Sequence, residues 1–181
     1  YEYPKSSQQT QSQKEHIKEY VKDFEEALFS PDFVNSKGSR YSEYVDLESF
    51  ADFLLINEIS KNADGYKLST YMHKDIDANN GKLTAGPIWD FDQTYGLSMV
   101  CSNNNPCGWT YLQNQDGCED LNTMPMWWEH FTRDSVFTNL LESRWTSFRS
   151  TFLHTDSINT WIDSNWAYIN DAKERNFVRW P

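Results

Sequence analysis

From Gln13 the apolar positions fall at Ile17, Tyr20, Val21, Phe24, Ala27 and Leu28, the i, i+3, i+4, i+7 stripe of an amphipathic helix, which Ser30-Pro31 stops. The Ser/Gln-rich lead-in before it, with Pro4, reads as extended. Asp46 can cap a second helix running to about Lys61. Its Phe50, Phe53, Leu54, Leu55, Ile56 and Ile59 are apolar nearly all round, as expected of a helix buried in the centre of a domain. At Asn62-Ala63-Asp64-Gly65 the chain turns and the period changes. Tyr66–Lys74 and Lys82–Phe91 read as two strands joined by residues 75–81, where Asn80-Gly81 suits a hairpin turn. Pro87 is expected at a strand edge or end because it lacks an N–H.

Residues 97–123 form a long polar excursion containing the cysteines, an insert whose length points to a functional or disulfide-tied loop. Three helical patterns close the chain. Pro125–Phe131 is short. Asp134 can cap a helix carrying Val136, Phe137, Leu140, Leu141, Trp145, Phe148 and Phe152. Thr155 can cap a last one carrying Ile158, Trp161, Ile162, Trp166 and Ile169. Helices, one hairpin, an insert and more helices predict a helix-dominated α+β fold, read as a single domain over 1–181.

Charge narrows the partners. Lys+Arg is 16 and Asp+Glu is 27, so 16 − 27 gives a net charge of −11. This argues against nucleic acid or an anionic membrane as the main partner. A nucleotide stays open, because a divalent cation neutralises carboxylates and phosphates together. Aromatic residues make up 16% of the 181, enough rings to build a core and to set intrinsic disorder aside. No apolar run approaches the ~20 residues of a membrane-spanning helix. The chain opens at Tyr1 without Met or a signal segment and stops at Trp180-Pro181 after a helical pattern, so it reads as a piece of a longer protein. Cys101, Cys107 and Cys118 match no zinc spacing; a loop disulfide plus a spare thiol, and hence an exported compartment, is the simpler expectation.

Acidic residues bracket the hairpin: Asp64 before the first strand, Asp90 and Asp92 at the end of the second. A hairpin folds its ends together, so Asp64 and Asp90 can meet at one end of the sheet. Converging carboxylates supply the hard oxygen ligands of a Mg²⁺ site with room for phosphates. The same aspartates serve equally as turn and strand-end residues making Asx turns and caps.

The run from Ser49 to Gly96 resembles the CotH kinase family, named for a spore coat protein. A helix, Asn62-x-Asp64-Gly65-Tyr66, a tyrosine-rich strand, Gly81-Lys82-Leu83, Gly86-Pro87-x-Trp89-Asp90-Phe91 and Tyr95-Gly96 fall in the family's order. Glu2-Tyr3-Pro4-Lys5 and the Phe24-Glu25-Glu26-Ala27-Leu28 helix are similar to bacterial members. The resemblance covers residues 1–100 and is thin after 125. It implies an atypical protein-kinase-like fold, with Mg²⁺ or Mn²⁺ and ATP as cofactors. The reaction implied is phosphoryl transfer to a Ser/Thr hydroxyl of a protein substrate or cell-surface partner. Asp64 then resembles the catalytic-loop Asp and Asp90 the metal-holding Asp of the D-F-G motif. Ser69 stands five residues after Asp64, where a standard kinase has Asn, and no His-Arg pair precedes Asp64. Asp92 is either a second metal-facing carboxylate or a turn cap. The seven glycines form no G-x-G, so the nucleotide lid is missing. The chain thus corresponds to a C-terminal lobe, expected to be inactive by itself.

Two other classes compete. Asp90 to Thr94 spells the D-x-D-x-T of haloacid-dehalogenase-type phosphatases, but neither a βαβ alternation nor a Gly-Asp dipeptide accompanies it. A non-catalytic module binding protein or glycan would use tryptophans, with Trp109, Trp127 and Trp128 as the candidates. At helical spacing Trp145 and Trp161 are more simply core. The four histidines form no spaced ligand set.

Overall fold

The computed structural model describes residues 3–62, 64–79, 81–99, 104–113 and 124–181, in two units, Tyr1–Leu141 and Glu142–Pro181. In the first, helix α1 (Gln11–Phe29) starts where Thr10 accepts the Gln13 amide and Gln13 reaches back in a capping box. Helix α2 (Leu47–Ser60) starts at Asp46, whose carboxylate accepts the Ser49 amide, as its sequence predicts. It ends at Lys61 in a left-handed cap. Phe50, Phe53, Leu54 and Leu55 are buried, which bears out the central placement of this helix.

The hairpin exists but its strands are short. β1 (Met72–Lys74) pairs antiparallel with β2 (Leu83–Ala85), with Met72 opposite Ala85. Residues 66–70, expected to be strand, are instead wound into a turn. The Asp64 carbonyl accepts the amides of Lys67, Leu68 and Ser69 at 3.2, 3.0 and 3.0 Å, which withdraws those donors from any ladder. At the far end β2 stops before Pro87. Gly86 still donates to the Tyr71 carbonyl at 2.8 Å, and the next residue has no N–H to give. Asn80, of the expected turn pair, lies outside the described residues. β2 is fixed to the run before α2, since Leu83 donates to the Tyr44 carbonyl and its own carbonyl accepts Asp46, both at 2.9 Å.

Aromatic rings fill the core. Phe131, from α3 (Trp127–Phe131), has ring neighbours on four sides: Phe24 of α1, Tyr41, Phe50 of α2 and Phe137 of α4 (Ser135–Arg149), at 4.9–6.0 Å. Trp128 stacks on Phe53 at 5.5 Å. Such pairs add about 0.5–1.5 kcal/mol each beyond the area they bury. Asp134 caps α4 through the Val136 amide, as expected, and also accepts the buried Tyr41 hydroxyl at 2.6 Å and Arg40 at 3.3 Å.

The second unit holds the end of α4 and helices α5 (Thr155–Tyr168) and α6 (Asn170–Arg179). Three expectations need correction. The N-cap of α5 is His154, whose ring nitrogen accepts the Asp156 amide, so Thr155 is the first helical residue. The single last helix breaks at Ile169 and restarts as α6. Trp145 and Trp161, expected in a core, are exposed, and α5 and α6 bury no residue. Cations meet the rings in this unit, with the Lys173 ammonium 3.8 Å from the Trp166 centroid and Arg149 at 5.8 Å from that of Trp145.

At the end of α2 the apolar pattern gives way to buried Asn57 and Asn62, both 0% exposed. Gly65 packs so closely there that a Cβ would lie 1.8 Å from Asn57 Oδ1. Gly65→Ala should therefore cost about 1–3 kcal/mol by overpacking, read as a lower urea midpoint at unchanged slope. Tyr41→Phe removes a buried bond to a carboxylate and should cost about 1.5–3 kcal/mol in the same measurement.

Candidate functional site

Three stretches of chain converge on the last turn of α2, and each is tied to it by polar groups. The first is the Asp64 turn. Asn62 Oδ1 accepts the Asp64 amide at 3.2 Å, an Asx-type turn that swings the chain off the helix. Tyr66, fully buried, brings the turn back. Its hydroxyl donates to Glu58 Oε1 at 2.9 Å and lies 3.1 Å from the Leu54 carbonyl oxygen. Thr70 closes the turn by donating to the Gly65 carbonyl at 2.7 Å.

The second stretch follows β2. Asp90 sits in the left-handed region at φ 62°, which Asp tolerates better than most residues but which still carries a cost. Its carboxylate is exposed, and Oδ2 lies 3.4 Å from the Ser69 hydroxyl, which donates to it. Thr94 then folds the run on itself by donating to the Phe91 carbonyl at 2.6 Å, and Tyr95 donates to the Ser60 carbonyl of α2 at 2.7 Å.

The third stretch is 104–113. Glu58, 8% exposed, accepts the Thr110 amide on Oε2 at 2.8 Å and the Tyr111 amide on Oε1 at 3.0 Å. It thereby takes the first free donors of a 3-10 turn at Thr110–Leu112. Lys61 Nζ donates to the Gly108 and Cys107 carbonyls. Burial pushes the Glu58 carboxyl above the usual carboxylate range, against the opposing pull of its hydrogen bonds and of Lys61. Burial, reinforced by the Glu58 charge, pushes the Tyr66 phenol well up.

The hairpin does fold the two motif ends together, but the side chain that reaches Asp90 is Ser69. Asp64 is half-buried and joins the pair through its backbone, its carbonyl accepting the Ser69 amide at 3.0 Å. The reason is the winding of residues 66–70: a straight strand would run on from Asp64, whereas the coil presents Ser69. Asp92 is exposed beside Gln93, whose amide donates to it at 3.4 Å. Among the described residues no group of three or more His, Cys, Asp or Glu is gathered to hold a metal ion. The donors present, a carboxylate and a hydroxyl, are hard oxygens. They fit a Mg²⁺ that keeps its waters or brings phosphates, which needs only one or two protein ligands.

The other candidates separate by burial. Trp128 is 1% exposed and belongs to the core, so it is no contact surface. Trp127 is half-buried and donates to Glu25 at 2.8 Å. Trp109 is 52% exposed, its ring 5.9 Å from that of Tyr111. Cys107 is an exposed free thiol, while Cys101 and Cys118 lie outside the described residues. Glu58 went unnoticed in the sequence. The signal available was a carboxylate near the end of a helix apolar nearly all round, which must be exposed or supplied with donors.

No described helix is long and apolar enough to cross a membrane. No curated protein and no solved structure matches the chain. The family model described as CotH kinase protein matches residues 1–181, so the likeness read from the first hundred residues extends through the closing helices. Motif order, a helix-dominated α+β fold and a whole-length match agree, and the chain belongs to the CotH kinase family.

Proposed function

We propose that this chain carries the catalytic and metal-binding residues of a kinase that transfers the γ-phosphoryl group of ATP to a Ser/Thr hydroxyl. The observation that carries the reading is the Ser69–Asp90 contact at 3.4 Å, next to the Asp64 turn, in a member of a kinase family. Asp90 and Ser69 would hold Mg²⁺ or Mn²⁺, with Asp92 as an added carboxylate. The metal supplies charge neutralisation on the phosphates. Asp64 orients the acceptor hydroxyl and takes its proton as the new P–O bond forms and the bond to the bridging oxygen of ADP breaks. The protein's own part is positioning, which suits a half-buried Asp64 whose backbone is held by four hydrogen bonds. The nucleotide lid would come from outside this chain, and the cysteine-bearing stretch favours an exported protein acting on a protein at the cell surface.

A second reading, a kinase-like module without catalysis that binds protein or glycan, draws on the exposure of Trp109 beside Tyr111.

Calorimetric titration of Mn²⁺-ATP into the full-length protein separates the two. Wild type should bind only with metal present. Asp90→Asn should abolish binding, and Ser69→Ala, which removes the hydroxyl held against that carboxylate, should weaken it about tenfold. A folded wild type that binds no Mn²⁺-ATP sinks the kinase reading; loss of glycan or protein binding in Trp109→Ala would then support the module.

A further inference from the structure

Glu58 is bonded to two of the three converging stretches at once. Its Oε1 is shared by the Tyr66 hydroxyl, which belongs to the Asp64 turn, and the Tyr111 amide, while Oε2 takes the Thr110 amide. All three partners can donate to the carboxyl oxygens, whereas an amide in their place would set its NH₂ against one of the backbone N–H groups. The carboxylate is also buried at the end of an apolar helix, where a lost partner is not replaced by water. Segment 104–113 touches the second stretch as well, since a Cβ on Gly96 would meet Asn104 at 3.9 Å. The Asp64 turn, the run after Asp90 and the 104–113 segment therefore share one anchor region, and the described part of the polar excursion is docked beside the candidate site.

We propose that Glu58 is a positioning residue. It locks the Asp64 turn to segment 104–113, so that loosening either loosens both, and binding at the candidate site is coupled to the order of that segment. The last clause rests on the kinase reading; the mechanical coupling does not. Groups facing Glu58 are Tyr66 from the turn, Tyr111 from the 3-10 turn and Lys61 from its own helix end. Tyr66 is the informative partner, because it reaches Glu58 from the Asp64 side alone.

The test is amide hydrogen exchange on the full-length protein without nucleotide, comparing wild type with Glu58→Gln, Tyr66→Phe and Tyr41→Phe. Glu58→Gln should speed exchange by about tenfold or more in both 64–69 and 108–113. Tyr66→Phe, the milder change should Glu58→Gln not fold, should also speed exchange at Thr110 and Tyr111, whose amides its hydroxyl does not bond. Tyr41→Phe destabilises the core elsewhere and should leave both segments at wild-type rates under native conditions. Acceleration confined to 110–112 in Glu58→Gln, or to 64–69 in Tyr66→Phe, would reduce Glu58 to a local cap and overturn the proposal. Equal acceleration of both segments in Tyr41→Phe would do the same, since global loosening would then explain everything. In a wild type that binds Mn²⁺-ATP, Glu58→Gln should also raise the dissociation constant several-fold while Tyr41→Phe leaves it unchanged. A protein that binds no nucleotide loses only the kinase reading, and the exchange data still decide the coupling.

Discussion

A carboxylate buried at the end of an apolar helix has to be given donors, and the donors that Glu58 collects decide where two loops of this protein go. Tyr66 brings one and the amides of Thr110 and Tyr111 bring the other. The neighbouring Ser60 carbonyl takes Tyr95 from a third. These loops have little regular secondary structure to hold them, and together they carry every residue proposed to do chemistry. The final turn of α2 thus does for the site what a strand end does in an open parallel sheet. It fixes several loop segments against one rigid support.

That support is rigid because the rest of α2 is locked in an aromatic core. Phe50 and Phe53 are enclosed by Trp128 and Phe131, and Phe131 in turn touches rings from α1, α4 and the segment before α2. Large rings are well suited to such a core, because each immobilises few torsions while covering much area. A small unit thereby reaches dense packing with few residues. The site built on this base is exposed at Asp90 and, among the described residues, gathers few ligands. An exposed carboxylate and one hydroxyl in a strongly acidic chain do not make a self-contained cation cage. They suit a cation arriving with phosphate oxygens, in keeping with membership of a kinase family.

Most of the fold was legible because its signals are local. The stripe of α1, the Asp46 cap and all-round apolar face of α2, and the Asp134 cap of α4 depend on residues within a turn or two of each other. The short strands were not legible. Tyr66 to Ser69 has strand composition, yet three amides bonding to one Asp64 carbonyl and the burial of Tyr66 against α2 overrule it. Trp145 and Trp161 failed in the opposite sense. Their spacing is that of a packed stripe, but periodicity says which side of a helix is apolar and not whether anything lies against it.

Residue type and short spacing were enough to set most of the elements, their order and the motif run by which the chain resembles its family. They also put an aspartate at each end of the hairpin. Long-range packing was needed to make Ser69 the side chain at Asp90, to bury Trp128 while leaving Trp109 open, and to join Glu58 to two distant loops. Those outcomes depend on contacts between residues far apart in the chain, from Ser69 and Asp90 to Glu58 and Tyr111 and to Phe50 and Trp128, where a single buried charge or ring selects among many loop paths that local preferences do not separate.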